Sequence, residues 1–444
     1  MVIRKNSVCH CSRSVSHLWT GCALVLFLSL TVLCSVTAFS GAAKRFKPPG
    51  ADADQYLAIA RSLASGNGYK NLVGPWRTHP DYSRMPGWPA IITIGLWAAP
   101  RVPPEAVARY ANAACLSVAG VFFCALSRML GVRSRLAVAA GLAISLSPSL
   151  VYLSVEGMSE VSFVMVLAMG MTAVFAGGRW PYAGAFILGL APLIRTNFVL
   201  VFPIFFAVAF LFRTARRSLL SRRNLARGAL VCSLALMPSL LWAVRNYRIT
   251  GRFPLLSSME GETFYGGNND VVANNIQFWG YWVMPNEIPG ESPKSELAKR
   301  LGSDLALNDY YHDKAISWMK SNITALPRLE LGKFVRAFIP IPWVPSLGSY
   351  VAFSCRFILY ALFFCLVPFW RRRIERSYLL MLLSISLVNI LTTAIYYGVF
   401  RFTHCFIEIF LVPCIMLGLQ EWWGTWNSYG ARTGSPSALP TELA

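Results

Sequence analysis

The chain has 444 residues, of which 55% are hydrophobic and only 14% charged, with a mean hydropathy of +0.49. That is too little charge to cover a soluble surface, and apolar runs of about 18 residues recur along its length, so the sequence reads as a polytopic helical membrane protein. Lys and Arg number 41 against 20 Asp and Glu, a formal charge of +21; in so apolar a chain an arginine excess reports membrane orientation first, and no nucleic-acid partner is implied.

The eleven cysteines do not form a framework. Most fall inside apolar runs, Cys9 and Cys11 lie in the N-terminal tail, and the polar segments 44–106 and 245–345 contain none. Intramembrane cysteine is mostly a small apolar packing residue. The "CHC" at 9–11 is too poor in ligands to argue for a metal.

In chain order, a basic tail (1–17, with Arg4, Lys5 and Arg13) precedes an apolar stretch from Leu18 to Phe39. That stretch is longer than a signal-peptide core and reads as a retained first span. Further spans fall at roughly 107–130, 136–155, 160–177, 182–195, 197–213, 225–243, 346–370, 377–397 and 402–423, giving about ten. With both termini cytoplasmic, the basic turns around Arg128–Arg135, Arg179, Arg213–Arg227 and Arg371–Arg376 all fall on the cytoplasmic side. The segments 44–106 and 244–345 then lie outside, the first with a helix along the membrane surface, the second mostly α-helical or irregular. The expected organisation is a cytoplasmic tail 1–17, an N-terminal membrane module 18–243, an external segment 244–345, C-terminal spans 346–425 and a tail 426–444. Lys44, Arg45 and Lys47 break the rule, which suits contact with anionic headgroups or an anionic lipid substrate. No internal repeat or matched pair of broken spans is visible, which argues mildly against an inverted-repeat transporter.

Chemistry-bearing residues gather at the external ends of these spans. The stretch "ADADQYLAIARSLASGNGY" (51–69) reads as a short amphipathic helix, with Tyr56, Ile59, Ala60 and Leu63 on one face and stop signals at "GNG". Asp52 and Gln55 are spaced as a capping box, so Asp52 either caps this helix or works at the membrane face. "RMPGWP" follows at 84–89, and Ser159-Glu160 opens the fourth span. Arg195 ends the fifth, Arg245 ends the seventh, "FYGGNND" offers Tyr265 and Asn268, and the last span begins with Arg401, His404 and Glu408. Those last three share a face at spacings of three, four and seven residues. Arg356, deep in the eighth span, calls for an intramembrane partner.

In this order and at these separations, the motifs resemble those of the GT-C-fold glycosyltransferases that use lipid-phosphate sugars, of the dolichyl-phosphate-mannose protein mannosyltransferase and aminoarabinose-transferase type. The resemblance covers roughly 18–425 and rests on "DADQY", on Arg84, Pro86, Gly87, Trp88 and Pro89, on Ser159-Glu160, and on Arg195, Arg245 and Arg401. It implies an external active site at which a polyprenyl-phosphate-linked sugar passes to an acceptor of unknown kind. Asp52, Asp54 and Glu160 are the candidate catalytic acids. Where the family carries an acidic pair, this chain has Asp52-Ala53, and counting back from Tyr56 favours Asp52 over Asp54. Arg195, Arg245, Arg401 and His404 are candidates for the lipid phosphate, and Tyr56, Arg84, Tyr265 and Asn268 for substrate. No cofactor is required, although acidic oxygens could hold a divalent metal ion. The resemblance places the protein in a bacterial inner or plasma membrane. A lipid-linked-sugar flippase and a surface-polysaccharide polymerase or ligase are the rival readings.

Overall fold

The computed structural model describes residues 11–42, 51–71, 79–212, 222–253, 256–341 and 346–433. The basic residues 44–47, most of the arginine-rich turn from 213 to 221 and "CHC" residues 9 and 10 lie outside them. Among the described residues there is no β-strand, only an isolated bridge between Lys70 and Pro80; the fold is all-α, as expected from composition.

The helices of eight or more residues are α1 (Cys11–Ala42), α2 (Ala51–Ala64), α3 (Gly87–Ala98), α4 (Pro104–Met129), α5 (Ser134–Ser145), α6 (Pro148–Val155), α7 (Glu160–Phe175), α8 (Trp180–Leu190) and α9 (Val201–Leu211). They continue with α10 (Arg222–Thr250), α11 (Lys294–Leu301), α12 (Asp304–Ser321), α13 (Leu326–Phe338), α14 (Leu347–Cys365), α15 (Arg376–Ile395) and α16 (Ile409–Thr433). Six helical stretches among the described residues are long and apolar enough to cross a membrane: Leu18–Phe39, Pro104–Met129, Asn224–Thr250, Leu347–Cys365, Arg376–Ile395 and Phe400–Asn427.

The other four expected spans are broken or short. The third bends by 43° between α5 and α6, because Pro148 cannot donate to the helical ladder and starts a new helix. The fourth is 16 residues. The fifth and sixth are Trp180–Leu193 and Thr196–Leu211, separated around Arg195. The seventh runs seven residues past its expected end at 243, to Thr250.

Small residues let the helices approach closely, as membrane bundles require in the absence of a hydrophobic drive between spans. A Cβ on Gly120 would lie 2.8 Å from the Gly141 carbonyl oxygen, and one on Gly189 only 2.3 Å from that of Ala235. The resulting core runs through α1, α4, α5, α7, α15 and the last span. By contrast, α14 leaves Leu347, Val351, Phe357 and Ile358 exposed, as suits a helix facing lipid.

The segment between α10 and α14 has a small core of its own around Phe264, Tyr265, Val272, Leu307, Tyr311 and Leu329. It docks on the bundle through a close seam. Lys333, fully buried, donates to Asn268 Oδ1 at 2.9 Å and to the Ala394 carbonyl at 2.7 Å. A Cβ on Gly398 would come within 1.9 Å of the Lys333 carbonyl oxygen. This seam ends three residues before Arg401.

Candidate active site

Three short elements meet around residues 84–89. Arg84 Nη2 donates to Asp52 Oδ1 at 2.6 Å and its Nε to Gln55 Oε1 at 2.7 Å, while its guanidinium lies 5.5 Å from the Tyr56 ring centre. Gln55 is thus a partner of Arg84, and the capping-box reading of Asp52–Gln55 is not realised: Asp52 sits inside the first turn of α2 and faces an arginine. Burial works to raise the Asp52 pKa, but Arg84, Arg401 and Arg195 together outweigh it and hold the carboxyl below the usual aspartate range. Asp54, two residues on, is exposed, and its nearest charges are Glu105 and Arg61.

Trp88 Nε1 donates to the Gly157 carbonyl at 2.9 Å. Gly157 has φ +71°, a conformation glycine adopts without strain, and its turn leads into Glu160. Asn112 Nδ2 holds the same turn through the Met158 carbonyl at 2.9 Å. Gly87 abuts the other wall, since a Cβ there would lie 2.5 Å from Ile194 Cγ1. One hexapeptide therefore grips Asp52 by its arginine, the approach to Glu160 by its tryptophan and the approach to Arg195 by its glycine. The sequence motif marked Arg84 as substrate-binding; in the structure it is foremost the partner of Asp52.

Glu160, the first residue of α7, is 1% exposed and carries two arginines. Arg195 pairs with its Oε1, and Arg401 Nε lies 3.4 Å from the same oxygen. Arg195 reaches inward because it is extended (φ −133°, ψ 104°) between two 3₁₀ turns. The Phe402 ring lies against both guanidinium groups, at 4.8 and 5.2 Å, and the Tyr397 ring packs on Phe402 at 5.5 Å. Two positive charges thus share one buried negative charge, leaving a net positive pocket that also acts on Asp52. Phe402 and Tyr397 were not singled out from sequence; their signal was adjacency to Arg401 in "YYGVFRF".

The other candidates go elsewhere. Arg245 does not join Arg195 and Arg401. It donates to the Asp81 carbonyl and to Asn246 Oδ1, with Tyr69 and Trp242 rings at 5.2 and 4.6 Å. The reason is the extension of α10, which carries it to the loop bearing Arg84; Tyr69 then donates to the Arg84 carbonyl at 3.0 Å. His404 is turned away as well, with Nδ1 2.8 Å from Glu408 Oε2 and Nε2 3.0 Å from Ser147 Oγ. Glu408 pairs with Arg356, which supplies the intramembrane partner expected for that arginine. The shared face expected for Arg401, His404 and Glu408 is broken by a π-turn over His404–Glu408. Tyr265 donates to Glu291 Oε1 at 2.8 Å and stacks on Tyr311, and Asn268 belongs to the docking seam. Both hold the segment together.

Among the described residues no group of three or more His, Cys, Asp or Glu is placed to hold a metal ion. The donor set at the site is a poor match for a divalent cation, because Asp52 and Glu160 are already neutralised by arginines.

No family model matches the sequence, and no curated protein matches it by sequence. Solved structures do match the fold. The archaeal oligosaccharyltransferase AglB from Archaeoglobus fulgidus, in complex with an inhibitory peptide and a dolichol-phosphate, superposes over 95% of this chain and 52% of its own, with TM-score 0.51 and 14% identity. The apo form of the Archaeoglobus fulgidus oligosaccharyltransferase does so over 93% and 52%, with TM-score 0.52 and 13% identity. ArnT from Cupriavidus metallidurans, bound to undecaprenyl phosphate, aligns over 95% and 80%, with TM-score 0.38 and 15% identity. The chain has the polytopic helical membrane fold seen in the archaeal enzyme, and it spans about half of that enzyme's length.

Proposed function

We propose that the protein is a membrane glycosyltransferase that moves a sugar from a polyprenyl-phosphate donor to an acceptor hydroxyl, at the end of the bundle where α2, α7 and the last span meet. The observation that carries this reading is the pairing of one buried carboxylate, Glu160, with two arginines beside the partly exposed Asp52, on the fold of an enzyme whose solved complex contains a dolichol-phosphate.

In the proposed reaction the acceptor oxygen attacks the anomeric carbon. The bond from that carbon to the phosphate oxygen breaks, its electron pair leaves with the polyprenyl phosphate, and the hydroxyl proton passes to Asp52. The departing phosphate needs positive charge more than it needs an acid. Arg195 and Arg401 supply it, since neutralising both with a single Glu160 leaves one positive charge for the phosphate. Their planar guanidiniums suit two phosphate oxygens. Arg84 keeps Asp52 ionised and oriented.

The site faces the outside by the arginine bias of the opposite turns, with both termini cytoplasmic. The transferred sugar is a hexose or pentose, and the segment between α10 and α14 chooses the acceptor. The test is product mass spectrometry with the purified protein in lipid nanodiscs and a panel of polyprenyl-phosphate sugars. Transfer or hydrolysis of one donor, lost in Asp52→Asn, supports the reading. Net movement of an intact lipid-linked sugar across a vesicle, without cleavage, would replace it with a flippase.

A further inference from the structure

We infer that the buried Glu408–Arg356 pair positions Arg401 by holding the π-turn at the start of the last span; this rests on the lipid-phosphate reading above. In a continuous α-helix, residues seven apart lie on nearly the same face. Arg401 and Glu408 would then face the same way, and Arg401 would compete with Arg356 for the nearer carboxylate. The structure avoids this. One α-turn over Phe400–Thr403 is followed by the π-turn His404–Glu408, and the α-helix resumes at Ile409. The extra residue shifts the phase of everything before it by about 100°. Arg401 reaches Glu160 while Glu408 faces α14.

A π-turn is rare and needs something to hold it. Here Glu408, fully buried, accepts from Arg356 Nε at 2.8 Å, from Arg356 Nη2 at 2.6 Å and from the Tyr360 hydroxyl at 2.6 Å. His404 spans the turn from Glu408 to Ser147, which lies at the break between α5 and α6. Arg356 Nη2 also donates to the Ala337 carbonyl at 3.0 Å, so the end of α13 is tied to the same knot. The bonds from Glu408 to Arg356 and Tyr360 stand at the end of the π-turn far from Arg401, and His404 ties its near end to Ser147. A merely structural pair would stabilise the bundle without any particular link to donor binding.

A double-mutant cycle separates the two roles, with donor KM and kcat measured for Arg401→Ala, Glu408→Gln and the double variant. Positioning predicts that each single change lowers kcat/KM for the lipid donor at least tenfold, mainly through KM. The double variant then loses no more than Arg401→Ala alone. Losses that multiply overturn the inference. Tyr360→Phe, which removes one hydrogen bond and no charge, carries the same cycle where Glu408→Gln fails to fold, and multiplying losses there overturn it equally. If Arg401→Ala leaves donor kinetics unchanged, the lipid-phosphate reading falls and this inference with it. A loss at Arg401 without coupling removes the inference alone.

Discussion

At the scale of single residues, Asp52 and Asp54 separate what their spacing could not. Both lie in the first turn of α2, but Asp52 faces Arg84 and the arginine pocket whereas Asp54 faces out. Asp52→Asn keeps the size and capping ability of the side chain while removing the proton acceptor. The expected loss in transfer rate at saturating donor is roughly two to four orders of magnitude, against little change for Asp54→Asn; the reverse order would move the base to Asp54. The low pKa also has a sign that can be checked. A depressed carboxylate contributes stability that is present above its unfolded pKa of about 3.9 and is lost as pH falls through its lower folded value. Activity should follow the same ionisation. Arg84→Ala removes the largest of the charges that lower the Asp52 pKa while burial still raises it, so the acid limb of kcat/KM should move to higher pH. An unmoved limb would show that some group other than Asp52 sets it. The lowered basicity also limits how much Asp52 can gain from proton transfer, and leaves most of the acceleration to the arginines.

At the scale of elements, the three arginines at span ends divide into a pair and an outlier. Arg195→Ala and Arg401→Ala should each cost on the order of 1.5–3 kcal/mol in donor binding, as expected for a lost charged hydrogen bond, with lysine recovering only part. Arg245→Ala should act on the loop that carries Arg84. It should quicken proteolysis or hydrogen exchange around residues 79–86 and leave donor KM near wild type; a donor KM shift equal to that of Arg401→Ala would return Arg245 to the phosphate site. The docking seam makes its own prediction. Because a Cβ on Gly398 would sit 1.9 Å from the Lys333 carbonyl, Gly398→Ala should push α13 off the bundle, lower the melting temperature and reduce transfer. A well-folded, fully active Gly398→Ala protein would mean that the seam opens without consequence. Breaking the buried Glu408–Arg356 pair by one partner is expected to cost about 3–5 kcal/mol of stability, which is why the neutral Tyr360→Phe is the gentler probe.

At the scale of the whole molecule, hydropathy made the long spans legible because burial in lipid acts on every residue of the window. The ordered motifs singled out Asp52, Glu160, Arg195 and Arg401, which the structure brings into one cluster. Phase and length were not legible. The π-turn leaves composition untouched, and the polar run "RNYRIT" reads as the end of a span although the helix continues through it, so the sequence misaimed both His404 and Arg245. Nor can composition reveal that "RMPGWP" grips three walls of the site at once. Orientation is proposed from charge, and the structure sharpens its test. Gln420 near the end of the last span accepts from the Arg133 backbone at 2.6 Å, and Glu421 pairs with Arg373 at 3.2 Å. Two of the basic turns therefore lie at one end of the bundle, and Arg401, at the start of the same span, lies toward the other with Glu160 and Arg195. Retention of both basic turns on the cytoplasmic side forces the site outward. Single cysteines at the exposed positions Asn67, Lys299, Arg133 and Arg372, in a protein with its native cysteines replaced, test this with a membrane-impermeant maleimide on sealed cells. Positions 67 and 299 should label from outside, and 133 and 372 only after the membrane is opened. Labelling of Arg372→Cys in intact cells would invert the bundle and place Asp52 and its arginines in the cytoplasm; labelling of 67 and 372 from one side would mean that the number of crossings between them is even.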